Sequence, residues 1–157
     1  MKKLLLVVVS VLFCGMLVSC SAGKNKTDTS ATPGEMTRKV IEELSLENLV
    51  EIKKDLLSTH YSIDASLLSD FSLYISDEDD KPYEIAVFEV ADEKNVPMVK
   101  SAVADRINNK LSAFGNVQDG DKGILNQNTI ETRGRYIFFA VTENYKKAQS
   151  VFFEFFE

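Results

Sequence analysis

A chain of 157 residues with 18 basic and 24 acidic side chains has a formal charge of −6, which argues against a nucleic-acid binder held by counterion release. One histidine and two cysteines leave too few ligands for the common zinc sites. With 45% hydrophobic residues, ten Phe and five Tyr, the chain can fill one sizeable core.

Lys2 and Lys3 precede an almost wholly apolar run, Leu4 to Val18, and Leu17-Val18-Ser19-Cys20 closes it. A basic start, a short apolar stretch and a small-residue site read as a secretory signal peptide over residues 1–19. The closing tetrapeptide resembles the lipobox of bacterial lipoproteins. In those proteins the cysteine thiol becomes a diacylglyceryl thioether, and a peptidase cuts just before it. The resemblance implies a mature chain that begins at a lipidated Cys20, carries palmitate-type acyl chains and is anchored on the extracytoplasmic side of the cell membrane. At about 0.8 kcal/mol per buried methylene, two acyl chains give a lasting anchor where one gives a marginal one. Cys14 leaves with the leader and Cys20 is alkylated, so no thiol remains for a disulfide. Losing Lys2 and Lys3 leaves 16 basic against 24 acidic side chains, a net of −8. That charge holds the domain off an anionic bilayer within the screening length.

Ser21 to Gly34, rich in Ser, Thr, Gly, Lys and Asn, reads as a flexible linker of roughly 20 Å span. A single domain follows over residues 35–157. Its apolar spacing predicts short helices at Thr37–Leu44 and Lys53–His60. Strands are expected at Phe71–Ser76 and Glu84–Val90 around a charged turn, Asp77–Pro82. A long helix from Glu93 to about Phe114 aligns Val96, Val99, Val103, Ile107, Leu111 and Phe114, with Asp92 as N-cap and Pro97 in the first turn. Asn116–Gln127 is a polar loop. Asn128–Thr132 and Tyr136–Val141 make a hairpin around Arg133-Gly134-Arg135, and a last helix opens at Glu143 or Asn144. The stretch Glu84 to Asp92 lies over Arg135 to Glu143 as an internal ββα repeat, alongside the alternative of convergent patterning. The expected fold is α+β: an antiparallel sheet of two hairpins, helices packed on one face, and a helical N-terminal segment. The strands Glu84–Val90 and Tyr136–Val141 are apolar on both sides, so something must also cover the second face: the N-terminal helices, or a partner or apolar ligand.

Tyr61-Ser62-Ile63-Asp64, Glu84-Ile85-Ala86-Val87-Phe88 before a helix, and Gly134-Arg135-Tyr136 before the final strand, together with the lipobox, resemble domain-of-unknown-function family 4358, small bacterial lipoproteins. The resemblance covers roughly Met36 to Phe156. It implies no activity and no catalytic residue. The loop Asn116 to Gln127 is richer in Asp and Gly than the family pattern suggests.

Several motifs invite a site, and each has an ordinary explanation. Asp119-Gly120-Asp121-Lys122-Gly123 lacks the calcium-loop residues at its fifth, sixth and twelfth positions and reads as a solvated turn. Asp77 to Asp80 form a hydrated hairpin tip. Ser21-Ala22-Gly23-Lys24 has penicillin-recognising spacing but sits in the linker. His60 is accompanied by no Ser or Cys in a recognisable nucleophile elbow and fits a helix end. Arg133 and Arg135 flank a turn glycine; if the repeat holds, Arg135 is the counterpart of Glu84 and could pair with it. On a helical wheel Phe152 and Phe155 face the core while Phe153 and Phe156 lie to one side, free to associate.

The expectation is a lipid-anchored extracytoplasmic binding or accessory module that is not an enzyme. No catalytic, cofactor or metal residue is assigned, and Cys20 is the lipidation site. Its partners are the membrane through the lipid and an envelope protein or small ligand, with no nucleic acid. The alternatives are a structural subunit using Phe153 and Phe156, or a carboxylate-based cell-envelope hydrolase. The latter needs two acids about 5–10 Å apart, and a deep pocket holding Asp64, Asp70 or Glu84 with a raised pKa would favour it.

Overall fold

The computed structural model describes residues 27–78, 81–113 and 123–157. The leader, Cys20, the Ser21–Lys24 motif, most of the Asp119–Gly123 loop and Asp79–Asp80 lie outside the described residues.

Helix α1 (Pro33–Leu44) opens four residues ahead of the expected start. Thr32 and Glu35 form a reciprocal capping box and Pro33 occupies the first helical position, so a Pro-Gly pair that looks like linker is helix. Strand β1 (Leu49–Glu51) is unexpected from the sequence: three residues carry too little periodicity to register. A single 3-10 turn (Lys54–Leu56) and helix α2 (Leu57–Tyr61) replace the longer second helix. Ser62 ends α2 with a left-handed φ of 53°. Strand β2 (Leu68–Ser76) starts three residues early, whereas β3 (Glu84–Val90) and β5 (Tyr136–Val141) match expectation. Asp92 accepts from the Lys94 N–H and caps a 3-10 turn (Glu93–Asn95) that leads into α3 (Val96–Ala113). Strand β4 (Asn128–Arg133) precedes β5, and α4 (Tyr145–Glu154) follows it.

The sheet runs β1-β2-β3-β5-β4, antiparallel throughout. The α+β class is as expected, and the hairpins β2–β3 and β4–β5 meet through β3 and β5. The helices do not share one face. Ala86, Phe88, Val90, Ile137, Phe139 and Val141 face a core with Leu57, Tyr61, Val99 and Val103 from α2 and α3. Ile85, Val87, Tyr136, Phe138 and Ala140 face Met36 and Val40 of α1 and Ala148, Val151 and Phe152 of α4. Strands with no polar parity leave both sides in need of cover, and α3 and α4 divide the task. The hairpins repeat; the sides their helices take do not. The N-terminal helices split as well, α1 to one face and α2 to the other.

Two further departures have local causes. Residues 123–125 are helical and Leu125 is fully buried, so the end of the presumed polar loop supplies core. At the C-terminus the Phe155 N–H donates to Phe152 O and the Phe156 N–H to Phe153 O. This tightened turn swings Phe156 into the core, 5.6 Å from Tyr136 between ring centroids and 5.1 Å from Phe152. Phe155 is left half-buried under Lys39, and Phe153 lies 4.1 Å from the Arg133 guanidinium. Phe153 and Phe156 therefore do not form a free pair.

Candidate functional site

Glu84 is the first residue of β3 and shares a parity with Ala86, Phe88 and Val90, so alternation points its carboxylate into the α2/α3 core. It is fully buried. An ionised carboxylate there survives only with charge and hydrogen bonds around it. Three side chains supply them. Tyr61, the last residue of α2, donates its phenol to Oε1 at 2.6 Å. Arg106 on α3 reaches Oε1 through Nε at 3.2 Å and Oε2 through Nη2 at 3.1 Å. Lys110, one turn further along α3, reaches Oε2 through Nζ at 2.6 Å. Arg106 and Lys110 stand four residues apart and so meet the strand from one side of the helix. The Arg106 guanidinium also lies 5.7 Å from the Tyr61 ring.

The protonation states follow from this geometry. Burial pushes the Glu84 carboxyl up, but the Lys110 and Arg106 charges and their hydrogen bonds more than offset it and hold it below the usual carboxylate range. Burial pulls the Lys110 ammonium down, against the attraction of Glu84. Burial, with Glu84 beside it, drives the Tyr61 phenol well above its ordinary value, so it remains a donor. His60, next to Tyr61, is lowered by burial and then by Arg106, which keeps the imidazole neutral at neutral pH.

Two clefts meet at Arg106. One, of about 550 Å³, is lined by His60, Ser62, Met98, Ser101 and Asn109 among others. The second, of about 370 Å³, lies between α3 and the end of the β2–β3 hairpin and is lined by Ser76, Glu78, Lys81, Asn109 and Lys110. Met98, 53% exposed, lies at the rim of the first.

Of the three acids singled out in the sequence, only Glu84 is buried. Asp64 is exposed and accepts from the Ser66 N–H as the cap of a 3-10 turn. Asp70 is exposed on β2 and accepts from the Phe71 N–H. Burial places no second carboxylate beside Glu84 among the described residues, and no three His, Cys, Asp or Glu side chains there are grouped as a metal site needs. Arg135 does not pair with Glu84. It binds Glu89 at 2.8 Å and Val90 O, at the opposite end of β3. His60 sits in the last turn of α2 at the edge of a cleft, consistent with its ordinary reading.

Arg106 and Lys110 were not picked out from the sequence. The signal was there: Lys110 is three residues from Ile107 and seven from Val103, on the apolar stripe itself. A lysine in the stripe and a glutamate on an inward strand position call for each other.

The chain belongs to DUF4358, a family described as a domain of unknown function, whose match runs over residues 42–142. That span contains the whole sheet and all four residues of the Glu84 cluster. It stops short of α4 and takes in only the end of α1, a narrower range than the expected Met36 to Phe156. No curated protein and no solved structure matches the chain.

Proposed function

We propose that this chain is a lipid-anchored, extracytoplasmic binding or accessory protein without catalytic activity. The anchor is read from the leader: Lys2 and Lys3, the apolar run, and Leu17-Val18-Ser19 before Cys20. None of the helices in the described residues is long and apolar enough to cross a membrane.

The observation that carries the non-catalytic half is the saturation of Glu84. Its carboxylate has about four lone-pair directions and already accepts four donors. A general acid needs a proton that this depressed group does not hold, and a general base needs a lone pair that is not already engaged. Glu84 instead pins α2 and α3 to β3 and fixes Arg106 where two clefts meet.

Mass spectrometry of the chain purified from native membranes tests the anchor. The expected species begins at Cys20 and carries a diacylglyceryl mass, and Cys20→Ala moves the protein out of the mature membrane fraction. An unmodified Cys20 sulfur, or a retained leader, overturns the reading.

A further inference from the structure

The donors around Glu84 outnumber its acceptors. The Arg106 guanidinium has five N–H bonds and gives two to Glu84, and the Lys110 ammonium has three and gives one. Arg106 Nη1 makes no hydrogen bond among the described residues, and it is not sealed from solvent. One carboxylate against two cations leaves the cluster with a residual positive charge.

That surplus borders the cleft between α3 and the β2–β3 hairpin. Lys81 lines the same cleft, and its ammonium has no ion pair or hydrogen bond among the described residues. Glu78 is the opposing carboxylate in the lining, and its Oε1 accepts from Asn48 Nδ2 at 2.8 Å. Asn109 and Ser76 add neutral donors. Three cations and one carboxylate therefore line the cleft, beside the acidic hairpin tip that begins at Asp77.

We propose that this cleft binds the phosphoryl group of a small molecule, with Arg106 as the fixed donor and Lys81 and Lys110 as flanking cations. The choice of phosphoryl over carboxylate follows from the donor geometry. The Nε/Nη2 edge of Arg106 is taken by Glu84, which leaves the end-on Nη1/Nη2 edge as its open donor pair. The remaining donors come from separate side chains on a helix and a hairpin, which suits a tetrahedral group of higher charge. Arg106 is pre-positioned by Glu84, so binding orders little that was not already ordered. The volume of about 370 Å³ accommodates the group with a small organic body. The inference gives the proposed binding module its ligand class, and it fails separately from the anchor: Cys20→Ala leaves phosphate binding unchanged.

The test is a titration of the full chain in detergent micelles with inorganic phosphate at constant ionic strength, read by NMR at the Arg106 Nε–H. A saturable shift is expected, with acetate at least tenfold weaker. Lys81→Ala, which removes a cation that makes no side-chain hydrogen bond or ion pair among the described residues, weakens phosphate at least tenfold, while Met98→Ala at the other cleft does not. A shift that never saturates, equal affinity in Lys81→Ala, or acetate binding as tightly as phosphate overturns the proposal.

Discussion

On the α1/α4 face of the sheet, Phe138 stacks on Phe152 at 4.8 Å with ring planes 9° apart, and Tyr136, Phe156, Met36 and Val40 close around them. On the α2/α3 face the same two central strands bury Phe88 and Phe139 against Tyr61, yet one end of that face holds an ionised glutamate and two cations. Dispersion and area burial hold the first face together, with little directional demand. The second adds a cluster that tolerates only one arrangement, because each missing partner exposes a buried charge. The difference teaches where to look for function. A dry aromatic face is sufficiently explained by stability, whereas a cluster whose cations exceed its carboxylate is not.

The comparison can be broken at its two strongest points. Phe152→Ala removes the centre of the aromatic face and should cost about 3–5 kcal/mol in urea unfolding. Glu84→Gln leaves Lys110 and Arg106 without their counter-charge and should cost about 3–5 kcal/mol, as breaking a buried pair does. The two losses separate with pH. Because the folded carboxyl of Glu84 is held below its ordinary 4.5, its stabilisation is complete above that value and disappears as pH falls through the folded one. The gap between wild type and Glu84→Gln should therefore close in acid, while the Phe152→Ala loss stays. A gap that persists in acid would mean that Glu84 acts through packing rather than charge.

Smaller changes sharpen the contrast. Gly134 in the β4–β5 turn has φ 51°, and a Cβ there would stand 2.6 Å from Thr27 O. Gly134→Ala should cost about 1–2 kcal/mol from the backbone conformation alone, and more from the clash, in the same unfolding assay. On the aromatic face, Thr37 Oγ1 and Ser72 Oγ share a buried hydrogen bond of 2.7 Å that joins α1 to β2. Thr37→Val should cost about 1 kcal/mol, a measure of how little that face depends on polar contacts. The smallest effect is expected at His60. Its folded pKa is lowered from 6.5, so the unfolded chain takes up the proton first and stability falls as pH drops through that value. His60→Gln should flatten the slope of stability against pH in that window.

The sheet was largely legible because its central strands announce themselves. Both strands read as apolar on their two sides, and Ile85, Val87, Tyr136 and Phe138 do lie on one with Ala86, Phe88, Ile137 and Phe139 on the other. What alternation cannot reveal is which helix covers which side, since an apolar parity accepts any apolar stripe. The Thr32–Glu35 capping box was readable, but the Pro-Gly between its members looked like linker. Phe156 was misplaced because a helical wheel assumes 100° per residue to the last position, while the chain tightens there. The Glu84 cluster was hidden for another reason. A residue-by-residue search for chemistry looks for motifs, and Glu84, Arg106 and Lys110 are spaced by a fold, not by a motif.

The contact between Thr27 and Gly134 fixes one pole of the domain. It lies where Tyr136 pairs with Glu89, while the Lys81 cleft opens at the other pole, where Val141 pairs with Glu84. From Cys20 to Thr27 the covalent chain reaches roughly 25 Å at full stretch. A lipid at Cys20, as proposed above, would keep the turn end of the domain within that reach of the bilayer, with the Lys81 cleft at the end roughly 17 Å away, five strand residues along.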